Sequence, residues 1–96
     1  MNKFEITAHE SLFIQRLHYI HKSNEIFCKL LAHELAEYPD DRKKEVLYQY
    51  ANECRKSFVE LDYARNQIIH KYLGDIKTDT ITYTFNFDTH EVSYDL

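Results

Sequence analysis

One glycine, one proline and no tryptophan occur in 96 residues. With so little turn-forming material the chain has almost nothing to spend on loops, which excludes a loop-rich architecture. No apolar run approaches the ~20 residues that a membrane-spanning helix needs. The N-terminal MNKFEITAHE sets Glu5 where a secretion signal requires its apolar stretch, so a cytoplasmic location is expected. The two cysteines, Cys28 and Cys54, are expected to stay reduced there. A glycine-rich phosphate loop, a HExxH motif and a Cys-pair metal motif are all missing. No cofactor is expected.

What is present is an ordinary globular composition: 44% hydrophobic, 15% aromatic and 29% charged. The length fits a single domain over 1–96, small enough that a second copy would help cover its apolar surface, and a homodimer is expected. The net charge of −4 is uneven. Beyond Gly74 stand Asp75, Asp79, Asp88, Glu91 and Asp95 against Lys77 alone, so the acidity belongs to the C-terminal segment. Phosphate binding rests on clustered Lys and Arg, which makes nucleic acid a poor partner for that segment.

From about 8 to 38 the apolar residues Phe13, Leu17, Ile20, Phe27, Leu31, Leu35 and Tyr38 recur at helical spacing, with Asn24 filling the gap in the series. Thr7 followed by Glu10 reads as a capping box. YPDD then breaks the helix, and Asp40 or Asp41 is placed to cap the next, predicted from about 41 to 73. Its seam is Leu47, Ala51, Cys54, Phe58, Leu61, Arg65, Ile68 and Tyr72, and Gly74 stands where a left-handed C-cap belongs. Helices joined by so short a turn pack antiparallel. Equal rise on both sides of the turn makes facing residue numbers sum to roughly 82, which sets Cys28 against Cys54.

After Gly74 the period becomes alternating, and 79–96 is predicted to be a β-hairpin. With DTHE as its loop, Phe87 pairs with Val92, Phe85 with Tyr94 and Tyr83 with Leu96, all apolar side chains on one face. The expected fold is therefore α+β, a long antiparallel helical hairpin followed by a C-terminal β-hairpin. Thr82, Thr84 and Asn86 would point to solvent, with Asp88 and Glu91 making the surroundings acidic. A free strand edge of this kind accepts an extended peptide, so these five residues are the candidate partner-binding site.

Other constellations carry competing readings. Asn24 and Arg65 are polar residues in apolar seams, and buried polar residues of that kind can fix the register of a dimer. His18 and His21, with Glu25 four residues on, could bring two imidazoles and a carboxylate onto adjoining faces of one helix, a spacing compatible with a metal. Solvated histidines on a helix flank are the commoner case.

The segment RNQIIHKY, 65–72, resembles the Arg-x4-His-x-Tyr motif of HEPN-type ribonuclease toxins. That resemblance implies a dimeric endoribonuclease in which Arg65 and His70 are catalytic and Tyr72 is a site of modification by an antitoxin. The likeness covers eight residues. The family builds bundles of four or more helices and stays helical after the motif, whereas strands are expected here.

The layout as a whole, and the residues Phe85, Phe87, Asp88, Thr89 and Glu91, resemble the small accessory proteins of CXXX-repeat peptide modification systems. That resemblance implies an accessory factor in a modified-peptide gene cluster and no catalytic residues. A non-enzymatic protein- or peptide-binding module is thus the leading expectation. The HEPN-like nuclease is the alternative, and a phage-type acidic inhibitor of a nucleic-acid-binding protein is the third.

Overall fold

The computed structural model describes residues 2–95. Its elements are β1 (Asn2–Glu5), α1 (Ala8–Glu37), α2 (Asp41–Leu73), a 3-10 turn (Thr78–Thr80), β2 (Thr82–Asn86) and β3 (Glu91–Asp95). The architecture is α+β, a long helical hairpin with an antiparallel sheet. Two compact units divide the chain: one takes the residues up to Arg16 and from Asp62 onward, the other Leu17–Leu61.

Local chemistry sets the helix ends. The Thr7 N–H donates to Glu10 Oε1 (2.9 Å) while the Glu10 N–H donates to Thr7 Oγ1 (3.0 Å), the reciprocal pair of a capping box. The Arg42 N–H donates to Asp40 Oδ1 (2.8 Å), so Asp40 caps α2. At the far end Gly74 takes φ 78°, a conformation that costs other residues, and its N–H donates to the His70 carbonyl (3.0 Å).

The first unit holds a three-stranded sheet of order β1-β3-β2, all antiparallel. A two-stranded hairpin was expected; β1 adds the third strand, with Phe4 opposite Val92 and Lys3 opposite Ser93. Its alternation of Phe4 and Ile6 with Lys3 and Glu5 fits a half-buried strand. The expected register also needs correction. Tyr83 lies opposite Tyr94 and Phe85 opposite Val92, so Phe85 and Tyr94 are not directly paired. Phe87 falls in the turn, and Leu96 lies outside the described residues.

The cause of the shift is the turn chemistry. Asn86 Oδ1 accepts from the N–H groups of Asp88 (3.0 Å) and Thr89 (3.2 Å), and His90 adopts a left-handed φ of 57°. The loop is therefore 87–90 rather than 88–91. Because the pairing moved by two residues, side-chain parity is kept: Phe4, Tyr83, Phe85, Val92 and Tyr94 share one face, as the alternation demands. Val92 and Ile69 are fully buried, with Ile6, Ile14, Ile68 and Ile81 in the same core.

In the second unit α1 and α2 run side by side and antiparallel. Its seam is small and partly polar: Cys28, Leu31, Ala51, Cys54, Ser57 and Leu61 are buried or half-buried. Phe27 and Phe58, expected in the seam, are exposed, as are Ile20 and Tyr38. The expected α1 series thus mixes two faces: Leu17, Leu31 and Leu35 are buried or half-buried, whereas Phe13, Ile20, Phe27 and Tyr38 are exposed. This helix carries two apolar stripes, and the one that faces α2 runs through Ile14, His21, Cys28 and Leu35 at heptad intervals.

Candidate functional site

Glu10 is the hub of the first unit. Its side chain is only 16% exposed, and besides the Thr7 cap its carboxylate accepts from Tyr72 Oη (2.6 Å, Oε1) and Lys71 Nζ (2.8 Å, Oε2). Burial alone would raise its pKa. The hydrogen bonds from Lys71, Tyr72 and Thr7 outweigh that and hold it at about 2. The Tyr72 hydroxyl is pushed above its ordinary range, first by donating to Glu10 and then by burial, and the Lys71 ammonium is raised by the same carboxylate. The Tyr72 ring stacks on Phe4 with centroids 4.9 Å apart, which ties β1 to the end of α2.

Two residues of the Arg-x4-His-x-Tyr match, His70 and Tyr72, are engaged within the fold. His70 is exposed on the flank of α2, and its Nε2 lies 3.0 Å from the carbonyl of Ile76, bridging the helix to the segment after Gly74. Tyr72 serves Glu10. Arg65 is half-buried, and burial raises the Tyr83 phenol while the positive charge of Arg65 works against that rise. Arg65 Nε and Asn66 Oδ1 are buried with no protein hydrogen-bond partner.

On the sheet, Thr82, Thr84 and Asn86 are exposed on the outward face, as the alternation requires. The pairing puts Lys3, Glu5, Glu91, Ser93 and Asp95 on that same face. Glu91 faces Lys3 at 3.8 Å. Asn86 and Asp88 have a more local role than expected, since Asn86 organises the turn that Asp88 enters. β1 and β2 are the two edges, and β3 lies between them.

In the helical unit Asn24 does not look outward. Its Nδ2 donates to Ser57 Oγ (3.3 Å), Ser57 Oγ donates to the Cys54 carbonyl (2.9 Å), and His21 Nδ1 lies 3.2 Å from the same hydroxyl. Within the protomer this polar residue bonds across its own hairpin, because a half-buried amide takes the nearest partner. His21 Nε2 is 3.3 Å from Glu25, and Glu25 also meets Lys22 (3.8 Å) and Lys29 (3.2 Å). Its pKa is lowered, chiefly by the hydrogen bond from Lys29. His18 sits edge-on to Tyr19 instead. Among the described residues no group of three or more His, Cys, Asp or Glu side chains is placed to hold a metal, so His18, His21 and Glu25 do not assemble as one site.

Cys28 and Cys54 are free thiols facing across the seam, and the Cys28 thiol is pushed up by burial and by Cys54. They line the floor of an open apolar groove with His21, Ala51, Phe58 and Val59. The described residues contain no helix long and apolar enough to cross a membrane. No protein-family profile, curated protein or solved structure matches this chain.

Proposed function

We propose that the chain is a non-enzymatic binding module whose sheet takes an extended, basic segment of a partner along the β2 edge. The observation that carries this reading is the composition of the outward face. Thr82, Thr84 and Asn86 of an edge strand stand beside Glu91 and Asp95 of β3, with Glu5 beyond them on β1 and Lys3, also on β1, the only cation of the three strands on that face among the described residues. Edge N–H and C=O groups supply strand-wise hydrogen bonds to an incoming peptide, and the acidic surroundings select its charge. A modified-peptide substrate, as the CXXX-repeat resemblance implies, is one ligand of this kind. The engagement of His70 with Ile76 and of Tyr72 with Glu10 further supports a structural role for the 65–72 segment over a nucleolytic one.

The test is an amide chemical-shift titration with two unstructured peptides of one length, one alternating Lys and Thr, the other Glu and Thr. The Lys peptide should shift amides of Thr82–Asn86 and the Glu peptide should not. Thr82→Lys with Thr84→Lys should leave the fold intact and weaken binding by about tenfold or more through like-charge repulsion. Shifts confined to α1 and α2, or equal response to both peptides, would remove the sheet face from consideration.

A further inference from the structure

We infer that a second copy of this chain docks on the outward stripe of α1 formed by Tyr19, Ile20, Ile26, Phe27 and Leu30, with a two-fold axis at Ser23. These side chains are 60%, 47%, 57%, 42% and 65% exposed. They are not scattered surface residues. Tyr19 with Ile26, Ile20 with Phe27 and Ser23 with Leu30 are each one heptad apart, the repeat that keeps a seam on one side of a helix. A contiguous apolar strip of this size on a small domain marks an interaction surface.

Three features of the stripe select another copy as its occupant. The first is its symmetry. Bulky residues stand three and four positions before Ser23 and again three and four positions after it, so an antiparallel copy sets Tyr19 against Phe27 and Ile20 against Ile26. An isologous interface requires this self-complementarity, and a small residue at the axis lets the helices approach. The second is charge. Lys22 and Lys29 both pair with Glu25 on the flank of the stripe, so Lys22, the charge nearest the axis and hence nearest its own image, is offset by a carboxylate, while Arg16, one heptad before Ser23, falls opposite Leu30 and contributes its aliphatic stem. The third is area. Five side chains about half exposed supply on the order of 500 Å² per protomer, given that an aromatic side chain can bury about 150–250 Å². Doubled, this reaches roughly the 1,000 Å² at which a specific interface becomes tenable. Phe27 is also held in place by the Tyr50 ring, with centroids 4.4 Å apart, so part of the surface is ordered before docking.

This inference is independent of the sheet-edge reading. Its test is the mass of the full chain by light scattering at micromolar concentrations. The wild type should run at about twice 11.6 kDa. Ile20→Lys and Ile26→Glu should each run as monomers with helical circular dichroism unchanged, since both positions are exposed. An equimolar mixture of the two should recover the dimer. In the antiparallel register the introduced lysine meets the introduced glutamate, and the remaining Ile20–Ile26 contact stays apolar; a parallel pairing would give no such rescue. Should a charged variant lose helical signal, Ile20→Ser reads the same surface and should weaken the dimer at least tenfold. A monomeric wild type, a dimer indifferent to these substitutions, or a mixture that stays monomeric each overturns the inference.

Discussion

The Glu10 hub makes a quantitative statement about acid stability. A carboxyl group whose pKa falls on folding contributes stability that is fully present above its unfolded value. That contribution is lost as the pH drops through its folded value. For Glu10 those values are 4.5 and about 2. At about 1.4 kcal/mol per pKa unit the difference corresponds to roughly 3 kcal/mol as a ceiling. Lys71 is exposed, so solvent screens its share, and about 1–2 kcal/mol is the expected effect at neutral pH.

Glu10→Gln isolates the charge. Glutamine can still accept from the Thr7 N–H, as capping boxes allow, and from Tyr72 Oη, but it cannot pair with Lys71 as an anion. In urea titrations followed by circular dichroism, wild type should exceed Glu10→Gln by about 1–2 kcal/mol at pH 7. The gap should narrow below pH 4.5 and close near pH 2. A carbon-detected titration of the Glu10 carboxyl should place its midpoint well below the ordinary glutamate range. A gap that stays constant down to pH 2, or a normal Glu10 midpoint, would refute the reasoning, because either means that the carboxylate is not preferentially stabilised in the folded chain.

Two further experiments probe the two units separately. Ser57→Ala removes the hydroxyl shared by Asn24 and His21 and should cost about 1–2 kcal/mol by leaving a half-buried amide unmatched, while adding Asn24→Leu should recover much of the loss; additive costs in the urea double-mutant cycle would count against the shared bond. Ile69→Ala, at a side chain with no exposure, should cost about 2–5 kcal/mol in the same assay, and a cost near zero would mean that the core of the sheet unit is not centred there.

The helices were legible because their signals are local and redundant. Period, capping box, Asp40, and Gly74 agree on the ends, and α2 spans Asp41–Leu73 as expected. β1 was not, since four residues carry too little alternation and their pairing partner, β3, lies at the other end of the chain. The strand faces survived an incorrect register for a geometric reason: a shift of two leaves parity unchanged, whereas the turn that fixes register depends on one Asn side chain and one left-handed His. The core stripe of α1 was legible only in part, at Leu17, Leu31 and Leu35, for a different reason. Apolar spacing shows that a stripe exists, but with two stripes on one helix only the facing residues decide, and α2 offers the small side chains Ala51, Cys54 and Ser57.

The same facing arithmetic could have found the polar contacts that spacing missed. Glu10 and Tyr72 sum to 82, and Asn24 and Ser57 sum to 81, so the rule that set Cys28 opposite Cys54 also places both hydrogen bonds. Applied to every polar residue near a seam, it turns Asn24 inward and leaves α1 with no polar group on its outer stripe apart from Ser23 and the Tyr19 hydroxyl between Tyr19 and Leu30. It also places Tyr72 in the frame of the sheet unit, where its phenol donates to the largely covered Glu10 carboxylate. The two surfaces proposed for binding differ in chemistry: an acidic, hydroxyl-lined strand edge in one unit and an uncharged aromatic and aliphatic stripe in the other. If the first selects by charge and the second by shape, as proposed, the two surfaces should respond oppositely to salt. Peptide binding at Thr82–Asn86 should weaken as ionic strength rises, while self-association through Ile20 and Ile26 should hold or strengthen, since screening acts on exposed charges and leaves apolar burial intact. Light scattering and peptide titration over one salt series would read both, and parallel weakening of the two would show that a single electrostatic surface serves for both contacts.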